Sequence, residues 1–559
     1  GVQIASYGPI GASAQYGIRG TASSQVLVLV DGQPAPGGFA DSVQLGTIST
    51  AGVARIEIVE GGGSTLYGTG AIGGIINIIT SDKRGAASAT LSYGTFNDAE
   101  LQLDGDGFSF DRIVAHNAYA LPPSAGFFGP NPTTRDNSDF ESTTARYGAD
   151  RKVGALDVAF HASLASDDLG AAGFFPYLSS TSREHDVNDN GSLTFTHRRA
   201  QSSASLSLFG ASQQITFGCD IAVDTSCFQT FPSLSTETRD GLSLRDVVDG
   251  SNERTVYGVD LSRGVVRADD GNGDINQDAM AQSAAYVQQT WIGARNEYYA
   301  GIRGERDGAL GGEFSPSIGA RFDLATALTL KVNAASAFRA PNASELYFPG
   351  YGSVAQGLGL LQPERAQVSD ITLEDARLLG GTSLGWFDNY TKDLIVATCV
   401  ANCTGTPGTF PDYAPQNVDR AHMMGFTFDT RTLPLNGVSV TLNATDLYLA
   451  SDLDTQARLP DDPVFTVNLG LAYAAGPRAF VRTAGISERL VGQRATIDPT
   501  QPPFSQAIPY GDLTAFVSLR VAPHASLTLR GLNLGNERYA EVSGYPMPGR
   551  SFIVELHTH

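Results

Sequence analysis

Along most of the chain, apolar and polar residues alternate one by one. Val438, Val440 and Leu442 are separated by Ser439 and Thr441, Leu328, Leu330 and Val332 by Thr329 and Lys331, and Leu527 and Leu529 by Thr528. In the first half, Leu156, Val158 and Phe160 are separated by Asp157 and Ala159, and Ala204, Leu206 and Leu208 by Ser205 and Ser207. A period of two sends successive side chains to opposite faces of an extended strand, so these segments predict β-strands with one apolar and one small polar face. The polar face is Ser, Thr, Asn and Gln more than Lys and Glu, and short turns alternate with long irregular connections. The long ones are read at Leu121 to Asp139, Asp167 to Asn190, Phe217 to Arg239 and Thr398 to Ala414. A soluble sandwich also alternates, but apolar-out, polar-in strands with unequal connections are what a transmembrane barrel requires. The stretch from about residue 85 to the end has room for about 22 strands of roughly 9 to 11 residues each with their connections.

Residues 1 to 84 follow another pattern. Short strands at Val26 to Val30 and Ala54 to Glu60 are joined by Gly-rich turns, with too few residues for a large core of their own. They predict a small mixed α/β domain lodged inside the barrel, whose wall lipid forces to close without open strand edges. The 559 residues are 42% hydrophobic and 17% charged, too apolar for a disordered acidic chain. A net charge of −21 leaves no basic stripe for phosphates, which excludes nucleic-acid partners. No apolar run reaches the roughly 18 to 20 residues of a membrane-spanning helix. The chain opens on Gly1 with no charged and apolar leader after it, which reads as a processed chain or a fragment.

The four cysteines form two close pairs, Cys219 with Cys227 and Cys399 with Cys403, in turn-rich stretches. Neither spacing is CxxC and no His cluster joins them, so two small loop disulfides in an oxidising compartment are expected rather than zinc. Gly68-Thr69-Gly70-Ala71-Ile72-Gly73 fits GxGxxG, but the run Ile75 to Ile79 that follows is β-branched and strand-like. No helix N-terminus waits there for a pyrophosphate, and the glycines are read as turn formers.

Several of these segments carry a family resemblance. Ile18-Arg19-Gly20, Val26-Leu27-Val28-Leu29-Val30-Asp31-Gly32, Arg55-Ile56-Glu57-Ile58-Val59-Glu60-Gly61, Ser64-Thr65-Leu66-Tyr67-Gly68 and the run Ala71 to Thr80 resemble, in order and spacing, the plug of TonB-dependent outer-membrane receptors. Ala337-Phe338-Arg339-Ala340-Pro341, Glu345-Leu346-Tyr347 and Gln362-Pro363-Glu364-Arg365 resemble the mid-barrel signature. Leu532-Asn533-Leu534, Tyr539 and Gly544-Tyr545-Pro546-Met547-Pro548-Gly549-Arg550 resemble the C-terminal one. The resemblance implies an all-β transmembrane barrel, residues 85–559, around a plug, residues 1–84. It also implies integration into the lipid of the bacterial outer membrane, and active import of a scarce nutrient powered by the TonB-ExbB-ExbD complex. No catalysis and no required cofactor are implied. Departures from the pattern are that Gly1-Val2 resembles the end of the family's Leu-Pro-Gly-Val segment, so the earlier plug and the TonB box are not in this sequence. Glu60-Gly61-Gly62 stands where Arg-Gly-Pro is usual, and His559 where the family usually ends in an aromatic residue.

Within the family, the Arg19 to Gly32 run and Ser344-Glu345-Leu346-Tyr347 are most similar to the cobalamin receptors. Ferric-siderophore receptors are the second reading and haem the third, since Gly359-Leu360-Leu361-Gln362 replaces the Asn-Pro-Asn-Leu box. By resemblance, cargo meets the apical turns Ser6 to Gln15 and Ala35 to Asp41, with Tyr7, Gln15, Pro36, Phe39 and Asp41 as candidate contacts. Turn formation is their simpler role. Arg19 is expected to tether plug to barrel through a buried carboxylate, Asp370 first and Glu345 second; bonding to plug carbonyls is the alternative. Cobalamin receptors can order outer loops with calcium. Asp136 with Asp139, Asp186 with Asp189, and the stretch Asp269 to Asp278 supply oxygen ligands, although Asx turns account equally well for such composition. Of other classes, a passive porin or adhesin would lack the plug motifs, and an enzyme would need a nucleophile and base, for which no GxSxG or HExxH appears.

Overall fold

The computed structural model describes residues 1–35, 43–80, 87–121, 134–173, 178–224, 232–269, 271, 275–308, 311–347, 361–401, 412–459, 462–476, 478–495 and 508–559. Within these residues, 22 antiparallel strands close into one barrel, and the last, Ser551–Thr558, pairs back onto the first, Ser88–Gly94. Alternation places the apolar set outside. Leu206 and Leu208 are exposed, while Ser207 between them is buried and bonded to Thr194 at 2.8 Å. Exposed aromatics ring the outer surface at two levels. Phe108, Tyr147, Tyr257, Trp291 and Tyr298 lie towards the short turns, and Tyr93, Phe314, Phe465 and Phe552 towards the long connections. An apolar band between two aromatic girdles is the surface of a barrel that sits in a bilayer, with the short turns on the periplasmic side.

The strands run further than their polar composition predicts. Leu156–Gly170, Arg183–Arg198, Ser202–Gly218 and Ser233–Asp249 extend into the two stretches read as the loops Asp167 to Asn190 and Phe217 to Arg239, taking residues 167–170 and 183–190 of the first and 217–218 and 233–239 of the second. Asp and Asn disfavour strands locally, but each residue added to a ladder pairs its backbone N–H and C=O, and that pairing prevails once the neighbouring strand is present. In the stretch Thr398 to Ala414 the flanking strands reach Ala401 and restart at Asp412, and in Leu121 to Asp139 the strand Thr134–Arg135 pairs with Tyr119–Ala120.

The N-terminal domain lies in the lumen. A hairpin of β1 (Val2–Ser6) and β2 (Ala14–Ile18) precedes β3 (Val26–Val30), β4 (Gln33–Pro34), β5 (Val53–Glu60), the one-turn α1 (Ser64–Tyr67) and β6 (Gly74–Thr80). The last four strands form a sheet in the order β4-β3-β6-β5, with β3 and β6 parallel. Tyr16, Ile18, Val26, Val28, Ile76 and Ile78 pack as its core. The GxGxxG segment leads into strand β6, and Gly68 (φ 84°) and Gly70 (φ 81°) occupy the left-handed region, so they make turns there rather than a nucleotide cradle. Hydrogen bonds fix the domain to the wall. Thr65 Oγ1 donates to Ser315 O (2.9 Å), Gly70 N to Phe338 O (3.1 Å), Ala340 N to Thr69 Oγ1 (2.9 Å) and Arg146 Nη1 to Ser49 O (2.8 Å).

Candidate cargo site and plug–barrel seam

The β1–β2 turn points towards the long-loop rim, where a short turn is what two adjacent antiparallel strands require. Gln15 Nε2 donates to Tyr7 Oη at 2.5 Å, and the Tyr7 ring packs edge-on against Tyr545 with centroids 4.7 Å apart. Tyr545 belongs to the last outer connection, between the strands Ala525–Leu532 and Ser551–Thr558, which folds inward onto the hairpin. The structure therefore brings Tyr7 and Gln15 together at the outer end of the plug. Pro36, Phe39 and Asp41 lie outside the described residues.

The inward fold of that connection is held by Glu541. Its Oε2 accepts Ser6 N–H of the hairpin (2.7 Å), and its Oε1 accepts Arg489 Nη1 (3.1 Å) and Tyr510 Oη (3.2 Å) of the wall. Arg489 also donates to Ile4 O at 2.7 Å, so one carboxylate and one guanidinium join plug, wall and loop. Arg494 donates to the carbonyls of Ala540 (2.9 Å) and Ile508 (3.0 Å) and lies 5.4 Å over Tyr510, which stacks on Tyr539 at 4.2 Å. None of these roles for Glu541, Arg489 or Arg494 is visible in the sequence, because their partners lie tens to hundreds of residues away.

Between hairpin and wall opens a cavity of about 500 Å3. Gln3, Gln15, Ser23 and Gln25 line it from the plug, and Asn342 and Thr466 from the barrel, with Ile395, Met423 and Val491 as apolar patches. Its arginines, Arg489 and Arg494, are engaged as described, and its Glu364 faces Arg339 at 2.7 Å. The site offers neutral donors and acceptors beside apolar surface, with Asp462 as a further carboxylate in its lining.

The tether differs from the expected one. Arg19 Nη2 pairs with Glu60 Oε2 at 3.0 Å, within the plug, and its guanidinium lies 5.2 Å from the Phe387 ring centre on the wall. Asp370 stands close by, accepting Asn333 Nδ2 at 3.1 Å, but makes no ion pair with Arg19 within 4.0 Å. The acid that replaces the usual second arginine is adjacent to Arg19 and captures it. Glu345 is also turned elsewhere, to Arg339 at 2.9 Å. Arg339 and Glu364 are each 1% exposed, and Glu364 Oε2 accepts Gln25 Nε2 of the plug at 2.8 Å. Gln25–Glu364–Arg339–Glu345 is thus a buried link from plug to wall. Its barrel members sit inside the segments that carried the resemblance; its plug member, a glutamine, gave no signal of its own.

Of the acids considered for calcium, Asp270, Asp274 and the Asp278 side chain lie outside the described residues. Asp139 pairs with Arg183 at 2.7 Å and Asp136 is exposed beside it. Asp186 and Asp189, read as a loop, lie on the strand Arg183–Arg198, where Asp186 is buried opposite Asp167 and Asp189 falls in the outward register with Val187. A strand sends neighbours to opposite faces, so this run cannot wrap one ion as a loop would. Among the described residues, no group of three or more His, Cys, Asp or Glu is placed to hold a metal. Cys219 is disulfide-bonded. Cys227, Cys403 and the Cys399 side chain lie outside the described residues.

Comparison with known proteins agrees with this geometry. Residues 83–534 match the family model described as TonB dependent receptor-like, beta-barrel, and residues 1–75 match the TonB-dependent Receptor Plug Domain. The vitamin B12 transporter BtuB of Vibrio cholerae serotype O1 is 27% identical over 588 residues, covering 100% of this chain and 87% of the relative. The protein of the same name from Photobacterium profundum is 24% identical over 445 residues, 76% of this chain and 67% of the relative. Among solved structures, the copper transporter OprC superposes with a TM-score of 0.80 at 18% identity, covering 100% of this chain and 93% of the other. The siderophore receptor PirA from Acinetobacter baumannii gives 0.76 at 17%, covering 100% and 94%. At such identities the solved structures speak for the fold alone. With a closed barrel, a lumenal plug and family models matched over most of its length, the chain belongs to the TonB-dependent receptor family.

Proposed function

We propose that this outer-membrane receptor imports a cobalamin-type corrinoid, with the TonB-ExbB-ExbD complex as its energising partner. The observation that carries the cargo reading is the chemistry of the cavity beside the plug hairpin. Its lining joins neutral amide, hydroxyl and apolar groups with two carboxylates, Glu364 and Asp462, and both of its arginines are already bonded to protein acceptors. A ferric tris-catecholate is a multiply charged anion that needs free cations around it. A corrin is fringed by neutral carboxamides and pairs with side chains such as Gln3, Gln15 and Asn342 without leaving a charge stranded. The two relatives described above, both bearing the name vitamin B12 transporter, support the same choice.

The test is retention. Detergent-solubilised protein incubated with a mixture of cyanocobalamin and ferric enterobactin, then desalted and analysed by mass spectrometry, should keep the corrinoid. Selective retention of the siderophore would transfer the reading to iron uptake. In cells, import that continues after the proton gradient is dissipated would point instead to a passive porin.

A further inference from the structure

The outward face of the barrel carries an uneven ring of charge at the short-turn rim. On the strand Phe140–Val153, Tyr147 and Val153 are exposed to the outside, and Arg151 shares their register. Across the next strand, Arg151 is opposite Val158 and Val158 opposite Phe195, and two residues further towards the rim His197 is opposite Leu156. Leu156 and Phe160 are exposed, so this whole face looks at lipid. Arg199 follows directly after the strand Arg183–Arg198. Arg198, in the opposite register, turns inward to Asp157 at 3.2 Å, whereas the side chains of Arg151 and Arg199 have no ion-pair partner among the described residues. On the outward face a little further round the barrel the charge is reversed, with Asp246 holding Tyr257 Oη at 2.9 Å.

Arg151 on the outward register and Arg199 in the turn that follows the next strand but one leave two guanidiniums at this rim that an anion from outside the protein can neutralise. Arginine is tolerated on the lipid side only near the interface, where its head reaches the phosphate layer while its stem lies along the acyl chains. Adjacent strands are about 5 Å apart and residues about 3.4 Å apart along a strand, so Arg151 and His197, two strands and two residues apart, flank a gap of about 12 Å that long side chains close around one headgroup. On the membrane side of Arg151, Phe160 opposite Ala149, Tyr147 opposite Ala162 and Leu164 further in are exposed and offer a dry surface for the chains. The side of the membrane fits as well, because the leaflet at the short-turn rim of an outer membrane is the phospholipid one.

We infer that Arg151 and Arg199, with His197 between them, form a seat for the headgroup of an anionic glycerophospholipid on the periplasmic leaflet side of the barrel. Guanidinium forks bind the phosphate in bidentate fashion, and the neighbouring apolar positions hold the acyl chains. The seat is independent of which cargo the receptor carries.

The full chain, purified in a neutral detergent and mixed with equal amounts of dioleoyl phosphatidylglycerol and dioleoyl phosphatidylcholine, is examined by native mass spectrometry. Phosphatidylglycerol should be retained over phosphatidylcholine by about tenfold, the preference expected of two interfacial cations. Arg151→Gln with Arg199→Gln should abolish the preference, and Arg198→Gln, on the inward register, should leave it unchanged. Arg151→Lys with Arg199→Lys should keep most of it. Equal retention of the two lipids by the unaltered chain overturns the inference whatever the variants do, as does an undiminished preference in a folded double glutamine variant.

Discussion

At the scale of single residues, buried polar atoms decide where the molecule responds to its surroundings. Asp98 closes the first outer turn with one carboxylate oxygen buried and without a hydrogen-bond partner. Burial pushes its carboxyl up to about 6 from an ordinary 3.8, and the charge of His116 only partly opposes this. A carboxyl raised on folding holds its proton longer in the folded chain, so its contribution is favourable below the unfolded value and is lost as pH rises through the folded one. The urea midpoint of the barrel should therefore fall, relative to an Asp98→Asn variant, as pH increases from about 4 to about 7. Parallel pH profiles for the two proteins would show that Asp98 is not desolvated. Such a residue is not identifiable from sequence, since nothing about an Asp after a Thr-Phe-Asn turn tells whether the fold will cover it. Arg19 was readable as a buried cation, but its partner was not. Glu60 is its neighbour only because β5 and β6 bring the end of one strand beside the β2 turn.

At the scale of elements, the period-2 pattern identified the wall strands and placed their apolar faces correctly, because a strand's alternation is a property of its own backbone. It underestimated their length, since whether Asp186 or Ser233 continues a strand depends on a neighbour to pair with. The hairpin β1–β2 shows the same dependence. Its strands are legible, but the clamp that fixes it, Glu541 from the far end of the chain, exists only after the barrel has closed. Glu541→Gln keeps the shape and removes the charge that serves Ser6 N–H and Arg489 together. The Ser6 amide should then exchange with solvent about tenfold faster, the equivalent of about 1.4 kcal/mol, while amides in β3 and β6 stay protected. Hydrogen exchange followed by mass spectrometry measures this, and unchanged exchange at Ser6 would mean that the loop does not hold the hairpin.

At the scale of the whole molecule, plug and barrel complete each other's hydrogen bonding, with Thr65, Thr69, Gly70 and Gln25 of the plug bonded to the wall. Arg19→Ala removes both the ion pair with Glu60 and the guanidinium that lies over Phe387 of the wall, and breaking a largely buried pair in this way costs roughly 3 kcal/mol. The plug should loosen, and ion conductance through single proteins in planar bilayers should rise. A variant as silent as the unaltered protein would place the hold elsewhere, with Gln25 and Glu364 first in line. What the sequence determined by itself was everything carried by local geometry. That comprises strand periodicity, hence a closed wall with lipid outside, the turn glycines of the GxGxxG segment, and the ordered motifs that resemble a plug and its barrel. What only the tertiary structure decided was pairing. Arg19 took Glu60 rather than Asp370, Glu345 went to Arg339, Asp186 became part of the wall instead of an ion loop, and the cavity arginines were hydrogen-bonded by a distant loop. The physical reason is common to these cases. A side chain's rotamer and strand fix where it points, but a charge or hydrogen bond is satisfied by whichever partner the closed barrel brings within about 3 Å, and that proximity is set by more than five hundred residues at once.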